Sequence, residues 1–562
     1  MKKKSLPQPL QLVFVWHMHQ PYYIDDRKKE CAMPWVRLHA IKDYFEMAHL
    51  LEFFPKIKAV FNYVPSLLVQ LEKVASGEVD DYFLILTKKD PKELSSEEIE
   101  FILKNFFSCN HDHMIRPYPR FKELLEKKEK GKPFSHHDLM DLQVWYNLAW
   151  FGHLAKTRNP IVRSLIKKGR RFNKIDKALL IAQQYIIIKT VIPLLKKLAR
   201  RGQIELSVSP FFHPILPLLI DRDATKEGLP GGPLPETPFN EIDEARWQLR
   251  EAREYFNRLF GFYPAGIWPS EGSVSEAALA EIQAAGFTWA ATDQGILAHS
   301  LAKVGRPLDW PLASWELYAP WQLKKQGPAL FFRDLSFSND ISFNFSSWKG
   351  ATAAHEIIKH LETIHEQIPA DREAPLVVSI IMDGENAWEF YEKNAIDFFR
   401  ALYRGLSNSN RIATTTYSQY LEKYPVTNQL EKLWSGSWIY SNFSTWIGCK
   451  EKNMAWELLA RTKNALKNFE ALAKTGKAGK TAGQVINLAY WELRIAEGSD
   501  WFWWLGYDHN SEYDRDYEES FRSHLKNVYT LIGHKLPDEL FKTINDYSSY
   551  MTDSSAKAVI AG

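Results

Sequence analysis

The sequence has few cysteines, little net charge and no long uninterrupted apolar run, and each absence excludes a class of protein. Three cysteines among 562 residues, at positions 31, 109 and 449, show neither disulfide-framework nor metal-site spacing. The net charge of +3 lacks the strong basic bias of nucleic-acid-binding proteins. No run approaches the roughly 18 consecutive apolar residues that a membrane-spanning helix needs. We therefore expect neither a nucleic-acid partner nor a membrane partner.

The N-terminus carries the positive charge of a signal peptide without its apolar core. After Met1-Lys-Lys-Lys, the residues Pro7, Gln8, Pro9 and Gln11 interrupt any apolar stretch. Scattered cysteines also favour a reducing compartment. Together these features predict a cytoplasmic protein, for which the sequence carries no signal of an oligomeric state.

Aromatic residues are abundant, with 20 Trp, 24 Tyr and 33 Phe. Most are expected to fill the core of so long a chain, but aromatic rings also offer large apolar faces on which sugar rings can stack. The tryptophans close in sequence to acidic residues are the candidates for that second role: Trp268, Trp388, Trp501, Trp503 and Trp504.

Several apolar, β-branched runs end abruptly in polar residues. The run before Asp383 and Glu385 reads as a strand buried on both faces, and carboxylates belong at its end because an unpaired buried charge is costly. Similar runs precede His17 and Glu271, and a fourth contains Glu205. Strands that deliver polar residues from one end are typical of the active site of a parallel α/β barrel.

Strand and helix patterns alternate through most of the chain and predict about seven parallel strands. The predicted strands are 12–16, 59–63, 204–207, 265–268, 287–292, 329–333 and 376–382. A charged helical block at about 80–200 is too long for a crossover and predicts a helical insertion. After Thr416 strand signals stop, and helices are expected at 453–474, 482–497 and 519–532. We therefore predict a barrel over residues 1–425, including the insertion, and a C-terminal helical domain over 426–562.

Five motifs occur in a fixed order over about 490 residues and carry a family resemblance. They are His17-Met-His-Gln-Pro21, Gly202-Gln-Ile-Glu-Leu-Ser207, Trp268-Pro-Ser-Glu271, Met382-Asp-Gly-Glu385 and Ser499-Asp-Trp-Phe-Trp-Trp504. The chain resembles glycoside hydrolase family 57, and its last three motifs most resemble the α-amylase and amylopullulanase branch. The resemblance implies an α/β fold with an incomplete (β/α)7 TIM-like barrel, a helical insertion and a following α-helical domain.

The resemblance also implies a retaining glycoside hydrolase in which Glu271 is the nucleophile and Asp383 the general acid/base. Retention needs two carboxyl groups about 5 to 5.5 Å apart. The implied substrate-binding residues are His17, His19, Gln20, Glu205, Trp268, Glu385, Trp388, Asp500 and Trp503. The expected partner is an α-glucan polysaccharide or maltooligosaccharide whose α-1,4 bonds are cleaved, with α-1,6 bonds as a second candidate. No metal ion or other cofactor is expected.

Other interpretations remain open at the level of sequence. A sugar hydroxyl in place of water would make the enzyme a 4-α-glucanotransferase or a glucan branching enzyme. A catalytically silent glucan-binding homologue is a further alternative. His17 and His19 also have the spacing of two metal ligands on a strand, as in metal-dependent polysaccharide deacetylases, although the sequence shows no motif for a third ligand. Taken alone, Glu271 also fits a first-turn acid of the following helix.

The aromatic segment 500–508 lies beyond the predicted barrel, yet it matches the fifth motif. We expect it to fold back as a loop over the barrel, with Trp503 stacked on a bound glucose and Asp500 accepting hydrogen bonds from sugar hydroxyls. The alternative is that Trp503 belongs to the core of the helical domain.

Overall fold

The structure is a computed structural model that describes residues 8–308, 314–369, 372–476, 479 and 481–547. The N-terminal segment and the tail after Ser548, for which the sequence predicts a frayed end, lie outside the described residues. The strands are β1 (Leu10–Met18), β2 (Ile24–Asp25), β3 (Glu30–Cys31), β4 (Ala59–Tyr63), β5 (Ile204–Val208), β6 (Gly266–Ile267), β7 (Trp289–Asp293), β8 (Trp321–Leu323), β9 (Gln326–Arg333), β10 (Val377–Asp383), β11 (Ile412–Thr414) and β12 (Asn428–Leu430).

Seven of the described strands form a closed parallel barrel in the order β1, β4, β5, β6, β7, β9, β10. The ring closes where β10 pairs with β1 along its whole length and with β9 at Ser379 and Arg333. Because all seven strands run in the same direction, their carboxyl ends meet at one end of the barrel. The predicted α/β fold with a (β/α)7 barrel and C-terminal helices is confirmed.

Side chains of β1 alternate between two apolar layers, as the period of two requires. Val13 and Val15 point into the barrel interior, whereas Phe14 and Trp16 pack outward. The outer layer is continuous with the insertion and the C-terminal helices, and one apolar cluster extends from Leu10 to residues beyond position 540. The helices therefore complete the core that the barrel begins.

Helices follow most strands and cover the barrel. In chain order they are α1 (Trp35–His39), α2 (Phe45–Leu51), α3 (Pro65–Ser76), α4 (Tyr82–Lys88), α5 (Ser96–Asn105), α6 (Pro119–Glu129), α7 (His136–Ala149), α8 (His153–Arg158), α9 (Pro160–Lys168), α10 (Lys174–Arg200), α11 (Leu216–Ile220), α12 (Ile242–Phe260), α13 (Glu276–Ala284), α14 (Gln294–Ala302), α15 (Ser314–Leu317), α16 (Leu335–Ser342), α17 (Gly350–Glu366), α18 (Ile396–Asn408), α19 (Tyr417–Leu421), α20 (Lys450–Lys474), α21 (Ala482–Ala496), α22 (Ser499–Trp503) and α23 (Asp514–Leu531).

The insertion between β4 and β5 is helical, from α4 to α10. The residues Ser95-Ser-Glu-Glu98 are typical of a helix start, and helix α5 does begin there. The Ser95 side chain accepts a hydrogen bond from Glu98 N, and the Glu98 side chain accepts one from Ser95 N. Helix α10 is 27 residues long, and its most apolar 18-residue window has a mean hydropathy of 1.7, so it meets the length and composition of a membrane span. Its buried side chains pack on α2, α7, α9 and β5, as those of a core helix do.

Three local features differ from the sequence predictions. The sequence pattern predicts a helix at about 40–54, but helical structure starts earlier, at Trp35, and contains a π-helical turn at Ala40–Tyr44. Strand β12 follows the predicted last strand and pairs with β8 beyond the predicted boundary at 425, because three-residue strands give no periodic signal. The segment predicted as an aromatic loop begins as the short helix α22.

Candidate active site

A cavity of about 1010 Å³ opens at the carboxyl ends of the barrel strands. Segments from the barrel, the helical insertion and the C-terminal region all contribute to its wall. It gathers most of the residues that the sequence analysis selected: His17, His19, Gln20, Glu271, Asp383, Glu385, Asp500 and Trp503.

His17 and His19 leave the end of β1 with one residue between them, so both side chains reach the cavity. His17 Nδ1 lies 2.7 Å from Asn62 Oδ1 on the adjacent strand β4. Burial, helped by the neighbouring His19, lowers the pKa of His17 to about 3. The His17 imidazole is therefore neutral at physiological pH and can donate or accept a hydrogen bond.

Glu271 adopts a left-handed backbone conformation, with φ of 57° and ψ of 27°. This conformation is costly for a residue other than glycine, and such strain concentrates at functional sites. Trp438 holds both parts of the residue: its Nε1 donates to Glu271 Oε2 at 2.8 Å, and its backbone N donates to Glu271 O at 2.9 Å. The carboxyl group is thus fixed in the cavity wall and is not a solvated helix-start acid.

Asp383 is the last residue of β10 and lies beside His17 in the register of the two strands. Asn386 Nδ2 donates to Asp383 Oδ2 at 3.0 Å. The next residue, Gly384, donates its N–H to His17 O at 2.7 Å, and a Cβ there would lie 2.3 Å from Met18 Sδ. This position needs glycine for the close approach that ties the Asp383 loop to β1.

The two carboxyl groups share one electrostatic environment. Burial and, second, the charge of Asp383 raise the pKa of Glu271 to about 8. Burial also raises the pKa of Asp383 to about 6, against the lowering effects of Asn386, His19 and Arg333. Two neighbouring carboxyl groups that resist joint ionisation titrate as a pair and retain a proton near neutral pH.

Glu385 is buried, although it follows Asp383 by only two positions. Its Oε1 accepts hydrogen bonds from His19 N at 3.0 Å, from Gln20 Nε2 at 3.1 Å and from Tyr44 OH at 3.1 Å. Burial and the charge of Asp383 raise its pKa well above the usual range. Its Oε2 has no hydrogen-bond partner among the described residues and is therefore available to a ligand hydroxyl.

The C-terminal region contributes α22 to the same cavity. Asp500 Oδ1 lies 2.7 Å from His19 Nε2, which joins this helix to the end of β1. Trp503 is partly buried and stacks on His509 with a ring separation of 4.1 Å, while it also lines the cavity. Its neighbour Trp501 is fully buried and donates from Nε1 to Ile495 O at 2.7 Å.

Three selected residues are not among the described residues that line the cavity. Glu205 lies near the start of β5, away from the carboxyl end, where it accepts hydrogen bonds from Trp289 Nε1 at 2.7 Å and Ser418 Oγ at 2.6 Å. Trp268 and Trp388 are fully buried. Trp388 donates to Gly384 O at 2.8 Å, and Trp268 packs on Trp438, so both support the site without facing it.

Sequence reasoning missed three functional candidates. His213 matched no motif that the sequence analysis used; it has a φ of 60°, and its ring stacks on that of His19 at 3.9 Å. Trp438 belongs to the Trp- and Gly-containing segment 434–438, for which the sequence predicts a loop without a specific role. Arg333 ends β9, packs on Trp438 and lies 3.3 Å from Asp293 Oδ2. A polar residue at a strand end was the available signal for Arg333.

Three side chains lie close enough together to hold a metal ion, an arrangement that the sequence did not predict. His19, His213 and Asp500 each offer one ligand atom, and these three atoms lie within 4.8 Å of one another. No sequence motif marks a third ligand for the two histidines of β1, because His213 and Asp500 come from distant segments. His17, by contrast, is not a member of this set.

Comparisons with known proteins agree with the fold. The model of glycosyl hydrolase family 57 matches residues 13–431. Similar solved structures include a branching enzyme of Thermococcus kodakaraensis, with 14% identity, a TM-score of 0.62 and coverage of 96% of this chain and 93% of that chain. The α-amylase AmyC of Thermotoga maritima has 11% identity, a TM-score of 0.57 and coverage of 95% of both chains. A branching enzyme of Pyrococcus horikoshii has 16% identity, a TM-score of 0.57 and coverage of 94% and 88%. No curated protein matches the sequence. At these identities the similarity to solved structures indicates a shared fold alone.

Proposed function

The chain belongs to glycosyl hydrolase family 57, and from this premise we propose that it is a retaining α-glucan hydrolase of the α-amylase or amylopullulanase type. The observation that carries the proposal is the pair Glu271 and Asp383, two buried carboxyl groups in one cavity whose charges act on each other. Glycoside hydrolysis needs such a pair, with one carboxyl group protonated and the other ionised.

In the proposed reaction Asp383 donates its proton to the glycosidic oxygen while the Glu271 carboxylate attacks the anomeric carbon. The C–O bond to the leaving chain breaks, and a glycosyl ester with Glu271 forms. Asp383, now ionised, takes a proton from water, which attacks the same carbon and releases the sugar with its configuration retained. Trp438 holds the Glu271 carboxyl group in place through the hydrogen bond to Oε2.

The proton must move within the pair before this reaction starts. In the free protein the pKa of Glu271 is about 8 and that of Asp383 about 6, which favours the proton on Glu271. The reaction needs the proton on Asp383 instead. We propose that a bound sugar lowers the pKa of Glu271 below that of Asp383. A sugar hydroxyl that donates to Glu271 and positive charge that develops at the anomeric carbon both favour an ionised Glu271.

The remaining polar residues of the cavity suit recognition of sugar hydroxyls. Neutral His17 donates or accepts, while Glu385 has a free oxygen among its described neighbours and Asp500 offers a carboxylate. Trp503 provides a ring face at the same cavity. We therefore propose these residues, with His19 and Gln20, as the substrate contacts and leave Glu205, Trp268 and Trp388 out of that set.

A 4-α-glucanotransferase or branching enzyme is the second candidate. The favouring observation is that Phe107, Asn110 and Tyr513, from the insertion and the C-terminal region, line the same cavity as the carboxyl pair. Walls of this kind limit access of water, which favours a sugar hydroxyl as the acceptor.

Product analysis on maltoheptaose, amylose and pullulan tests these proposals. A hydrolase releases shorter reducing sugars with retained anomeric configuration, whereas a transferase yields longer or branched chains with little net gain in reducing ends. Inverted products would reject the nucleophile role of Glu271. Glucan binding without turnover of any of the three would support the catalytically silent alternative.

We also propose that the reaction requires no added metal and that the protein is cytoplasmic. The three cysteines are free thiols, one of them buried, which suits a reducing compartment. Activity is expected to survive extensive chelation, and loss of activity that one metal restores would favour the deacetylase class. Detection of the protein in an oxidising compartment would contradict the proposed location.

A further inference from the structure

Three side chains from separate segments converge beside the carboxyl pair. His19 follows β1, His213 follows β5 and Asp500 lies on α22. One ligand atom from each lies within 4.8 Å of the other two. Two imidazoles and one carboxylate are the donor set of many protein zinc sites that keep a further position open.

The hydrogen bonds of these residues leave nitrogen lone pairs unused. His213 is fully buried and its Nδ1 lies 2.9 Å from Ser499 Oγ, while its Nε2 has no hydrogen-bond partner in the part of the chain that the structure describes. His19 Nε2 lies 2.7 Å from Asp500, and His19 Nδ1 likewise lacks a partner within the described ranges. A buried polar atom without a partner calls for an explanation such as a water molecule or an ion.

Contacts to Ser499 already orient one of the three groups, His213. Ser499 holds the His213 ring both through the contact at Nδ1 and by donating its backbone N–H to His213 O at 3.0 Å. A metal-bound histidine usually has its other nitrogen held in this way. Ligand atoms of a tetrahedral zinc ion lie about 3.3 Å apart, given bonds of about 2.0 to 2.1 Å. The three groups therefore need to approach by at most about 1.5 Å.

We propose that His19, His213 and Asp500 form a binding site for one divalent transition-metal ion, with Zn²⁺ as the best match. The ion takes the place of the proton between His19 and Asp500 and uses the free nitrogen of His213. It is an inhibitor and not a cofactor, because it occupies residues that contact the sugar. The inhibitory role rests on the proposed function, whereas the binding site rests on the geometry alone.

Direct metal binding tests the site independently of activity. The full-length protein is stripped with a chelator, and Zn²⁺ is titrated in competition with a chromophoric chelator. One Zn²⁺ per chain is expected, with affinity reduced at least about tenfold by Asp500→Asn and by His213→Gln. Co²⁺ in place of Zn²⁺ is expected to give visible absorption typical of four-coordination. Circular dichroism of each variant shows whether it remains folded.

His39→Gln is the matched control, because His39 lines the same cavity but is not one of the three ligands. Its Nδ1 is 2.7 Å from Asp43, and the variant is expected to bind Zn²⁺ as the original protein does. The site is rejected if no stoichiometric Zn²⁺ binds, or if folded Asp500→Asn and His213→Gln variants retain the original affinity.

Inhibition tests the role of the ion. Zn²⁺ is expected to raise the apparent KM for maltooligosaccharides, and excess chelator is expected to restore it. Stoichiometric binding without any effect on KM or kcat would overturn the inhibitory role and leave the site. Zn²⁺ binding by a protein that turns over no glucan would reject the proposed function while the metal site stands.

Discussion

The barrel and the C-terminal region contribute to one cavity by different means. His17 and Asp383 lie at the ends of two strands whose register is fixed by a continuous ladder of hydrogen bonds. Asp500 and Trp503 sit on the five-residue helix α22, which is tied to the barrel through Ser499, His213 and His19. The sheet positions the proposed reacting groups, and helix α22 supplies the proposed sugar-binding groups. We therefore expect changes on the barrel side to affect turnover and changes on the C-terminal side to affect affinity.

The largest expected effect is on the barrel side, at Asp383. Asp383→Asn removes the proton donor and should lower kcat on maltooligosaccharides by about 10² to 10⁴. Substrates with activated leaving groups should lose less in the first step, because they need less protonation. Asp243→Asn is the control, since its side chain is 86% exposed on α12. Near-normal turnover of starch by Asp383→Asn would reject Asp383 as the proton donor, and with it the expectation that changes on the barrel side mainly affect turnover.

The C-terminal side is tested by two neighbouring tryptophans. Trp503→Ala should weaken maltooligosaccharide binding by about five- to tenfold with a small change in Tm, since one aromatic contact contributes about 1 to 1.4 kcal/mol. Trp501→Ala, the matched comparison, removes a fully buried ring and should cost about 3 to 5 kcal/mol of stability. A large fall in Tm with unchanged affinity in folded Trp503→Ala would place Trp503 in the core and reject its role in recognition.

A smaller effect is expected from the loop that connects the regions. The hydrogen bond from Trp438 lowers the pKa of Glu271, so Trp438→Phe should raise that pKa. In the free protein the pKa of Glu271 lies above that of Asp383, so the basic limb of the kcat/KM profile reports Glu271 and the acidic limb reports Asp383. The basic limb should therefore move to higher pH by about one unit, and the maximum of kcat/KM should fall because less Glu271 is ionised where Asp383 is protonated. An unshifted basic limb would show that another group controls it.

The smallest effect concerns the contact between α12 of the barrel and the end of α21 in the C-terminal region. Glu497, at the end of α21, accepts a hydrogen bond from Gln248 of α12 at 2.9 Å, and burial raises its pKa from 4.5 to about 8. The folded protein therefore binds the extra proton between these values, and its stability falls as pH rises through that window. Glu497→Gln removes the dependence.

Thermal melting at two pH values measures this effect. Relative to the original protein, Glu497→Gln should have a Tm higher by about 1 to 3 °C at pH 8.5, and this gain should disappear at pH 5. The control is Glu356→Gln, a change at a half-exposed helix position. Equal differences in Tm at both pH values would show that the Glu497 carboxyl group does not titrate in this range.

The sequence predicts the barrel well because buried parallel strands leave long apolar runs with polar endings. Asp383 and Glu271 are found by that pattern. The motif match also selects Glu205, which the structure places near the start of β5, away from the carboxyl end of the barrel. Trp268 and Trp388 adjoin acids in the sequence, but their rings turn into the core.

Other parts of the site depend on docking, which leaves no periodic signal. His213 reaches His19 through its own left-handed backbone conformation in a loop, and Trp438 reaches Glu271 from a segment 167 positions away. Neither a backbone dihedral nor a long-range contact can be read from a single sequence. For the same reason the proposed metal ligands, which come from three separate segments, are recognised only in the folded structure.

The barrel can close only late in translation, because its first strand pairs with a strand near residue 380. Strand β1 can pair with β4 early, but its other edge waits for β10, whose last residue is Asp383. At 5 to 20 residues per second, a ribosome needs on the order of 20 to 70 s to make the intervening chain. During that time an apolar strand has one open edge, a template for aggregation. The edge of β1 that pairs with β10 therefore stays open until translation has passed residue 383.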